Sequence, residues 1–289
     1  MAGRLTSLLG FGRDEPIGPL DYGRRWWMRL IVGLTFVFLY APIVVLIAYS
    51  FNDSRRNIVW VRFTTDWYVK AIHDQSLLVA FGNSLTIAII NTLLSTVLGT
   101  LTALLLWRFR FPLRPVYEGA IALPIVIPEI CMGVAMMAFF AWIGWPNDLP
   151  WPISLSNIVI AHVAFSFPFV AVIIRARLAG FNRELEDAAK DLGATEWRTL
   201  LDIIVPYLKP ALVAGALISF TLSLDDFVIT FFTAGPDTIT LPVKIFSMVR
   251  FSVTPEVNAA STVLVVITVV TTVLALRLQN AGQKAGSSG

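Results

Sequence analysis

Long apolar stretches are the feature that most constrains how this chain of 289 residues can fold. An α-helix rises about 1.5 Å per residue, so about 20 consecutive apolar residues cross the hydrocarbon core of a bilayer, which is about 30 Å thick. Stretches of this kind occur at residues 28–50, 83–107, 116–142, 157–174, 211–232 and 258–276. The sequence therefore predicts an all-α integral membrane protein with about six transmembrane helices.

Composition agrees with a chain that is solvated mainly by lipid. Charged residues make up 14% of the sequence, whereas soluble domains carry about 25%, and so few charges could not cover a soluble surface. The single cysteine, Cys131, excludes an internal disulfide, a thiolate zinc cluster and a Cys-X-X-Cys redox pair. Stability must therefore come from the packing of helices.

The basic residues predict the orientation of the chain. An even number of spans places both termini on one side, and Lys and Arg concentrate on the cytoplasmic side of membrane proteins. If residues 1–27 form a cytoplasmic arm before an uncleaved first span, and residues 279–289 a cytoplasmic tail, most of the 22 basic residues lie inside. They are spread along helix ends rather than gathered beside stacking aromatics, so the net charge of +3 does not indicate a nucleic-acid partner.

The predicted cytoplasmic loop at 179–208 contains a short amphipathic helix. Asn182 is a suitable N-cap, and Gly193 is a suitable residue after the last turn. The apolar residues that share one face, at i, i+3, i+4 and i+7, are Leu185, Ala188, Ala189 and Leu192. Such a helix either lies on the lipid surface or receives another protein, whose surface the small alanines would let approach closely.

A second short helix is expected after Gly193. Thr195 can cap it, and Pro206 should end it near Val205, because the residue before a proline disfavours helical geometry. The two helices would form an elbow beneath the bilayer.

Residues 186–194, Glu-Asp-Ala-Ala-Lys-Asp-Leu-Gly-Ala, and residues 203–206, Ile-Ile-Val-Pro, resemble the EAA loop of ABC importer permeases. That motif has the form E-A-A, three residues, Gly, nine residues, I-x-L-P, and the departures at Asp187 and Val205 are conservative. The resemblance implies a type I ABC importer permease architecture, in which this loop is the coupling helix that fits a groove on a cytoplasmic ATPase subunit. The residues that it assigns to ATPase coupling are Glu186, Asp187, Ala188, Ala189, Gly193 and Ala194.

Further segments narrow the resemblance to one group of importers. The segments at 39–52, 63–68, 220–227, 235–250 and 254–259 are similar to those of spermidine/putrescine importer permeases, especially the second of that system's two permease chains. The likeness runs from about residue 30 to 278. It implies a permease domain at 28–278 in a bacterial inner membrane.

The same resemblance implies the partners of the chain. They are a second homologous permease subunit, two ATP-binding cassette ATPase subunits, an extracytoplasmic polyamine-binding protein and membrane lipid. ATP and magnesium would be bound by the ATPase, and no cofactor or metal by this chain. In this picture ATP closes the ATPase dimer, the coupling helices move with it, and the spans open outward to accept the cation.

Carboxylates in or at the ends of the predicted spans indicate a cation pathway. Inserting a carboxylate into hydrocarbon costs about 2.5–3.5 kcal/mol on insertion scales, so each of these residues is expected to have a structural or functional role. No Lys or Arg lies deep in a predicted span, and a polyamine would supply the missing positive charge. The residues predicted to line the substrate pathway are Asp225, Asp226, Glu129, Phe220, Phe227 and Tyr40. The aromatic rings among them would contact the cation through cation–π interactions.

Other roles for the acids stay open. Counting from Pro210 puts Asp225 and Asp226 roughly 22–24 Å along the fifth span, towards the outside. These two residues, Glu129 and Glu118 could instead cap helix ends, pair with the partner permease or lie in water at the interface. A histidine in the fourth predicted span is interpreted as a hydrogen-bonded packing residue or else as a proton relay.

The chain lacks the residues of an enzyme. No Gly-Lys dipeptide occurs, so the phosphate-binding loop for ATP is absent, and energy must come from another chain. Two distant histidines and one cysteine offer neither a metal cluster nor a nucleophile–base pair. The alternatives to a polyamine importer are a proton-coupled secondary carrier for organic cations, which would use the same carboxylates, and an ABC importer permease for an opine, a phosphonate or a sugar.

Overall fold

The chain folds into α-helices. The computed structural model describes residues 26–54, 59–146, 149–251 and 255–286. The helices are α1 (Trp26–Tyr49), α2 (Asp66–His73), α3 (Gln75–Arg108), α4 (Arg114–Val126), α5 (Glu129–Ile143), α6 (Ser156–Leu178), α7 (Glu184–Asp191), α8 (Glu196–Thr199), α9 (Val205–Leu224), α10 (Val228–Thr233), α11 (Leu241–Phe251) and α12 (Pro255–Gly286). A 3-10 turn at Ile153–Leu155 precedes α6, and a π-helical turn at Leu200–Ile204 joins α8 to α9. The predicted all-α class is confirmed.

The described residues contain five segments that are long and apolar enough to cross a membrane. They are Trp26–Tyr49, Gln75–Arg108, Ile153–Leu178, Glu196–Leu224 and Pro255–Leu274. The pair formed by α4 and α5 makes a sixth if it counts as one span, although the two helices meet at 111°. The third predicted span, 116–142, is therefore not one continuous helix, and the fifth, 211–232, is interrupted after Leu224.

The cytoplasmic elbow differs from the prediction in its second helix. The predicted end near Val205 is wrong, because the chain stays helical from Glu196 to Leu224. The π-helical turn at Leu200–Ile204 explains how Pro206 is tolerated. The Val205 N–H bonds to the Leu200 carbonyl oxygen, five residues back, and this widened turn gives the proline ring room. The elbow is thus continuous with a membrane helix.

The described residues divide into two compact units, with the boundary between Tyr49 and Ser50. The first unit contains α1, in which the rings of Phe36 and Tyr40 stack with their centroids 5.9 Å apart. The predicted arm at 1–27 lies outside the described residues except for the two tryptophans that begin α1. In the second unit α12 continues through residue 286, into the predicted tail.

The core of the second unit is formed where α3, α6 and α9 meet. Val170 of α6 is fully buried between a glycine of each neighbouring helix. A Cβ added at Gly99 of α3 would lie 2.7 Å from Val170 Cβ and 2.8 Å from the Phe167 carbonyl oxygen. A Cβ added at Gly215 of α9 would lie 2.9 Å from Val170 Cγ1. The three helices therefore depend on small residues for their close approach, as membrane helices commonly do.

Replacing Gly99 by Ala should lower the stability of the protein by about 1–3 kcal/mol, because the added methyl group overpacks the contact with Val170. The thermal unfolding midpoint of the purified chain in detergent measures this. Gly82→Ala is the matched control in the same helix, since its Cβ would meet no described atom within 4 Å. We expect this control to be neutral or slightly stabilising, and equal loss in both variants would contradict the packing argument.

Candidate functional site

The third membrane segment is broken at its prolines. α4 ends at Val126, and α5 begins at Glu129, directly after Pro128. Pro128 has no N–H, and the residue before it, Ile127, adopts extended geometry with φ −72° and ψ 134°. The break leaves Glu129 exposed in the first turn of α5, the end of a helix that favours a carboxylate.

A second break follows α9. This helix ends at Leu224, the two acids form the turn, and α10 begins at Val228. The acids therefore lie at a helix end rather than inside a continuous span. Asp225 is exposed, whereas only 8% of Asp226 is exposed. Carboxylates that are adjacent in the sequence thus have different surroundings.

The two breaks come together because α5 packs against α10. Gly133 permits this contact, since a Cβ added there would lie 2.7 Å from Phe232 Cδ2 and 3.4 Å from Ile229 Cα. Asp225 consequently interacts electrostatically with Glu129 as well as with its neighbour in the sequence. In the part of the chain that the structure describes, neither of these two exposed acids forms an ion pair with Lys, Arg or His. The site is therefore an acidic mouth, which we define as Glu129 and Asp225.

Asp226 is held inside the protein by α6 and α10. Its Oδ1 accepts hydrogen bonds from the Thr230 N–H at 2.8 Å and from the Thr230 hydroxyl at 2.9 Å, and it lies 3.3 Å from His162 Nε2. Because the hydroxyl proton of Thr230 is donated to Asp226, the 2.9 Å contact between Thr230 Oγ1 and His162 Nε2 requires the ring nitrogen to donate. His162 Nδ1 lies 2.8 Å from Ser223 Oγ of α9. Asp226 thus fixes the break by joining the first turn of α10 to two neighbouring helices.

Buried polar side chains continue this network through the core. Asn91 of α3 donates through Nδ2 to the Ser219 carbonyl and hydroxyl oxygens of α9, both at 3.1 Å. Its Oδ1 accepts from Ser95 at 3.0 Å and from Ser166 at 2.9 Å. These four residues are almost fully buried. Burying a polar group costs free energy unless the group is hydrogen-bonded. The network therefore favours one arrangement of α3, α6 and α9.

Aromatic rings cluster beside the second break. The ring centroid of Phe227 lies 4.6 Å from that of Phe246 and 5.5 Å from that of Phe231. Phe220 is half-buried on α9, and Tyr40 lies on α1. The structure therefore gathers Glu129, both aspartates and Phe227 around the helix breaks.

The predicted caps Thr195 and Gly193 of the cytoplasmic elbow are confirmed, whereas Asn182 lies one residue before the N-cap position of α7, which Arg183 occupies. Asn182 Oδ1 accepts from the Glu184 N–H at 3.0 Å, and Thr195 Oγ1 accepts from the Arg198 N–H at 3.4 Å. Gly193 has a φ of +83°, the left-handed geometry that ends a helix and that glycine adopts without strain. The turn then closes with a 3.0 Å hydrogen bond from the Ala194 N–H to the Ala189 carbonyl.

Four apolar side chains of the elbow are exposed. Leu192 is 90% exposed and Trp197 is 72% exposed, and Leu185 and Leu201 are also largely exposed. Asp187 and Ala188 are exposed on α7, and Ala189 and Ala194 are partly exposed. We call Leu185, Leu192, Trp197 and Leu201 the elbow surface.

Glu186 departs from this pattern, because it is 4% exposed and faces inward. It forms ion pairs with Arg108, the last residue of α3, and with Lys190 at 3.3 Å. Glu196 completes the cluster, at 2.9 Å from both Arg108 Nη2 and Lys190 Nζ. Burial raises the pKa of the Glu186 carboxyl, but the hydrogen bonds and charges of its two basic partners lower the pKa by more, so that it lies below its ordinary value. The carboxylate therefore stays ionised at neutral pH and ties the elbow to α3.

Stacked side chains form a second attachment. The Arg183 guanidinium lies 4.8 Å from the centroid of the Trp107 ring, and the Trp107 ring packs edge-on against Phe181 at 5.7 Å. Phe181 in turn contacts Tyr207 at 5.1 Å, over which Arg177 lies at 4.3 Å. The elbow therefore joins the ends of α3, α6 and α9.

Some residues of these sites carry no specific signal in the sequence. Arg108 resembles any basic residue at a cytoplasmic helix end, and Thr230 any threonine in an apolar segment. His162 is noticeable as a histidine in an apolar span, and the hydrogen-bonded packing role predicted for such a residue fits its contacts with Ser223, Thr230 and Asp226. The partners of Arg108 and His162 lie 60 or more residues away in the sequence, and the partner of Thr230 lies across a helix break. Only the fold therefore reveals these pairs.

Comparison with known sequences gives close matches. A family model described as the binding-protein-dependent transport system inner membrane component matches residues 95–284. The spermidine/putrescine transport system permease protein PotC of Escherichia coli (strain K12) is 40% identical over 254 residues, which cover 88% of this chain and 94% of that protein. The putrescine transport system permease protein PotI of the same strain is 39% identical over 246 residues, which cover 83% and 86%. PotC of Haemophilus influenzae is 39% identical over 253 residues, which cover 86% and 95%.

Solved structures share the fold. A chain of a bacterial ABC transporter involved in the import of the acidic polysaccharide alginate matches with a TM-score of 0.65 at 18% identity, over 91% of this chain and 97% of that chain. A chain of the inward-facing MetNI methionine ABC transporter matches with a TM-score of 0.58 at 18% identity, over 70% and 94%. Together with the sequence matches, these likenesses confirm the predicted permease architecture. The chain belongs to the family of binding-protein-dependent transport system inner membrane components, the multi-pass permeases of ABC importers.

Proposed function

We propose that this chain is one of two permease subunits in an ABC importer for polyamines such as spermidine and putrescine. The observation that carries the proposal is the acidic mouth, in which Glu129 and Asp225 lie exposed at two adjacent helix breaks. The relatives described above, permeases of spermidine/putrescine and putrescine transport systems, support the same cargo.

The acidic mouth suits a linear cation with more than one ammonium group. At a separation of about 5 Å and an effective dielectric constant of about 20, a carboxylate and an ammonium attract each other by about 3 kcal/mol. A dication or trication also relieves the repulsion between the two carboxylates. The C-terminal ends of α4 and α9 lie at the same breaks, where the free carbonyl groups of a helix C-terminus can coordinate a cation.

The other pathway residues have secondary roles in this proposal. Phe227 follows the two aspartates, and its ring would give a cation–π contact of about 0.5–2 kcal/mol. Asp226 acts with His162 as a positioning residue, which holds the break in place while Asp225 meets the cargo. Phe220 and Tyr40 are proposed as further aromatic contacts along the pathway.

We propose that the elbow couples this pathway to a cytoplasmic ATPase subunit. The elbow surface supplies apolar contact area, Ala188 and Ala189 let the partner approach, and Gly193 and Ala194 keep the turn tight. Asp187 faces outward, available to a basic group of the partner. Glu186 has a different part in coupling, because it faces inward and transfers movement of α7 to α3 through Arg108.

The complete importer would contain this chain, a homologous permease, two ATPase subunits that bind ATP and magnesium, and an extracytoplasmic polyamine-binding protein. Both termini would lie in the cytoplasm, because that orientation places most basic residues inside.

The test is uptake of radiolabelled spermidine and putrescine by proteoliposomes that contain the assembled complex. We expect uptake that requires ATP, the binding protein and this chain together. Uptake by this chain alone, driven by a pH gradient without ATP, would instead establish a proton-coupled carrier. ATP-dependent uptake of an opine, a phosphonate or a sugar but not of a polyamine would keep the importer and reject the cargo.

A further inference from the structure

Five arginines surround a cavity at the point where α3 ends, α4 begins and α6 ends. The cavity has a volume of about 540 Å³, and the indole of Trp107 forms part of its wall. We call this cavity the arginine pocket, and its basic residues are Arg108, Arg110, Arg114, Arg175 and Arg183. Like charges converge here on one space at the end of three membrane helices.

The carboxylates nearby do not neutralise this charge. Arg114 Nε and Arg175 Nη2 share a single partner, Glu118 Oε1, at 3.1 Å and 3.0 Å. Among the described residues, Arg110 and Arg183 pair with no carboxylate. The guanidinium of Arg183 is instead occupied by the Trp107 ring and by the Trp107 carbonyl oxygen, which accepts from Nη2 at 3.3 Å.

The carboxylates that pair with Arg108 do not neutralise the other four arginines. Arg108 binds Glu186 and Glu196, and these two carboxylates also bind Lys190. The two negative charges of Glu186 and Glu196 are balanced by the two positive charges of Arg108 and Lys190. This cluster is therefore neutral and leaves no negative charge for the other arginines. The arginine pocket therefore keeps an excess of positive charge that an external anion would relieve.

The surroundings of the pocket are apolar. Phe109, Leu113 and Val116, on and beside the connection from α3 to α4, are each more than half exposed. A second cavity of about 570 Å³ shares Trp107 and Arg108 with the arginine pocket. Apolar residues, four of them leucines of α3, form most of its wall, and Glu186 and Glu196 also line it. A basic pocket beside an apolar cavity at a membrane helix end matches a molecule with an anionic head and a hydrocarbon tail.

We propose that the arginine pocket binds the phosphate of an anionic phospholipid headgroup, with an acyl chain against the apolar cavity. Guanidinium groups bind phosphate oxygens through paired, charge-assisted hydrogen bonds, and basic pockets between membrane helices are known to take anionic headgroups. Free phosphate shares the headgroup chemistry but makes no use of the apolar rim. The exposed aromatic and aliphatic residues therefore favour the lipid.

The test uses the purified full-length chain in neutral detergent, titrated with phosphatidylglycerol, phosphatidylcholine or inorganic phosphate and followed by native mass spectrometry. We expect selective retention of phosphatidylglycerol. Each basic residue near an anionic surface contributes about a fivefold gain in affinity, so Arg110→Gln should weaken phosphatidylglycerol binding about fivefold and Arg110→Gln with Arg183→Gln about 25-fold. Arg177→Gln is the matched control, because Arg177 stacks on Tyr207 outside the pocket.

Four results would overturn the proposal. The first is equal retention of phosphatidylglycerol and phosphatidylcholine by the native chain. The second is equal binding of phosphatidylglycerol by the native chain and by Arg110→Gln, a variant that should fold normally because the side chain is exposed. The third is inorganic phosphate at millimolar concentration displacing the lipid completely, which would assign the pocket to a free anion. Loss of lipid binding once the ATPase subunit is added would likewise assign the arginines to that protein partner.

Discussion

Asp225→Asn combined with Glu129→Gln should reduce polyamine uptake by about 100-fold or more. Each carboxylate is expected to attract a cargo ammonium by about 3 kcal/mol at about 5 Å, and 1.4 kcal/mol corresponds to a factor of ten. The two residues act on the same cation, so each single variant should lose less than the pair. Initial uptake rates of labelled spermidine in proteoliposomes with ATP and the binding protein measure the effect.

The neighbouring acid provides an internal comparison. Asp226→Asn should lower the thermal stability of the chain, because it weakens the contacts with Thr230 and His162 that hold α10 to α6. Asp225→Asn should leave the stability unchanged, since its side chain is exposed. Asp237→Asn, in an exposed loop, controls for the loss of one negative charge. Undiminished uptake in the double variant of Asp225 and Glu129 would reject the acidic mouth as the cargo site.

Breaking the pair between Arg108 and Glu186 should uncouple ATP hydrolysis from uptake. Glu186 is almost fully buried, and a buried hydrogen bond to a charged group contributes about 1.5–3 kcal/mol. Arg108→Gln or Glu186→Gln should therefore reduce uptake about tenfold or more, while the assembled complex still hydrolyses ATP. The measurement is the ratio of cargo imported to ATP hydrolysed in the same proteoliposomes.

The charge-exchanged variant, Arg108→Glu with Glu186→Arg, tests whether the pair itself transmits movement. Partial recovery of the transport ratio relative to either single reversal would show that the ion pair, rather than either residue alone, is required. Arg198→Gln is the matched control, because this exposed arginine lies in the same elbow outside the ion-pair cluster. If Arg108→Gln kept the native ratio, the connection from α7 to α3 would not carry the coupling.

The caps of the elbow show how far local rules reach. Thr195 and Gly193 act within three residues of their own positions, so the sequence is sufficient to predict them. The predicted helix end at Val205 failed because the rule for the residue before a proline assumes regular α-helical turns. A π-helical turn before Pro206 changes the local geometry and lets the helix continue.

The pathway residues show where local rules stop. Carboxylates in apolar segments were noticeable from the sequence, because a charge in hydrocarbon is costly. The sequence did not indicate that Asp225 is exposed and Asp226 buried, since both occur in one dipeptide. That separation requires α6 to bring His162 to one carboxylate and α5 to bring Glu129 near the other.

Sequence by itself determined that the chain is an all-α membrane protein and where the elbow lies. These properties depend on hydrophobicity and spacing along the chain, which act over one helix at a time. Only the tertiary structure decided which charges meet: Arg108 with Glu186, His162 with Asp226, and five arginines around one cavity. Such contacts depend on helix packing, and packing depends on shapes that distant segments present to one another.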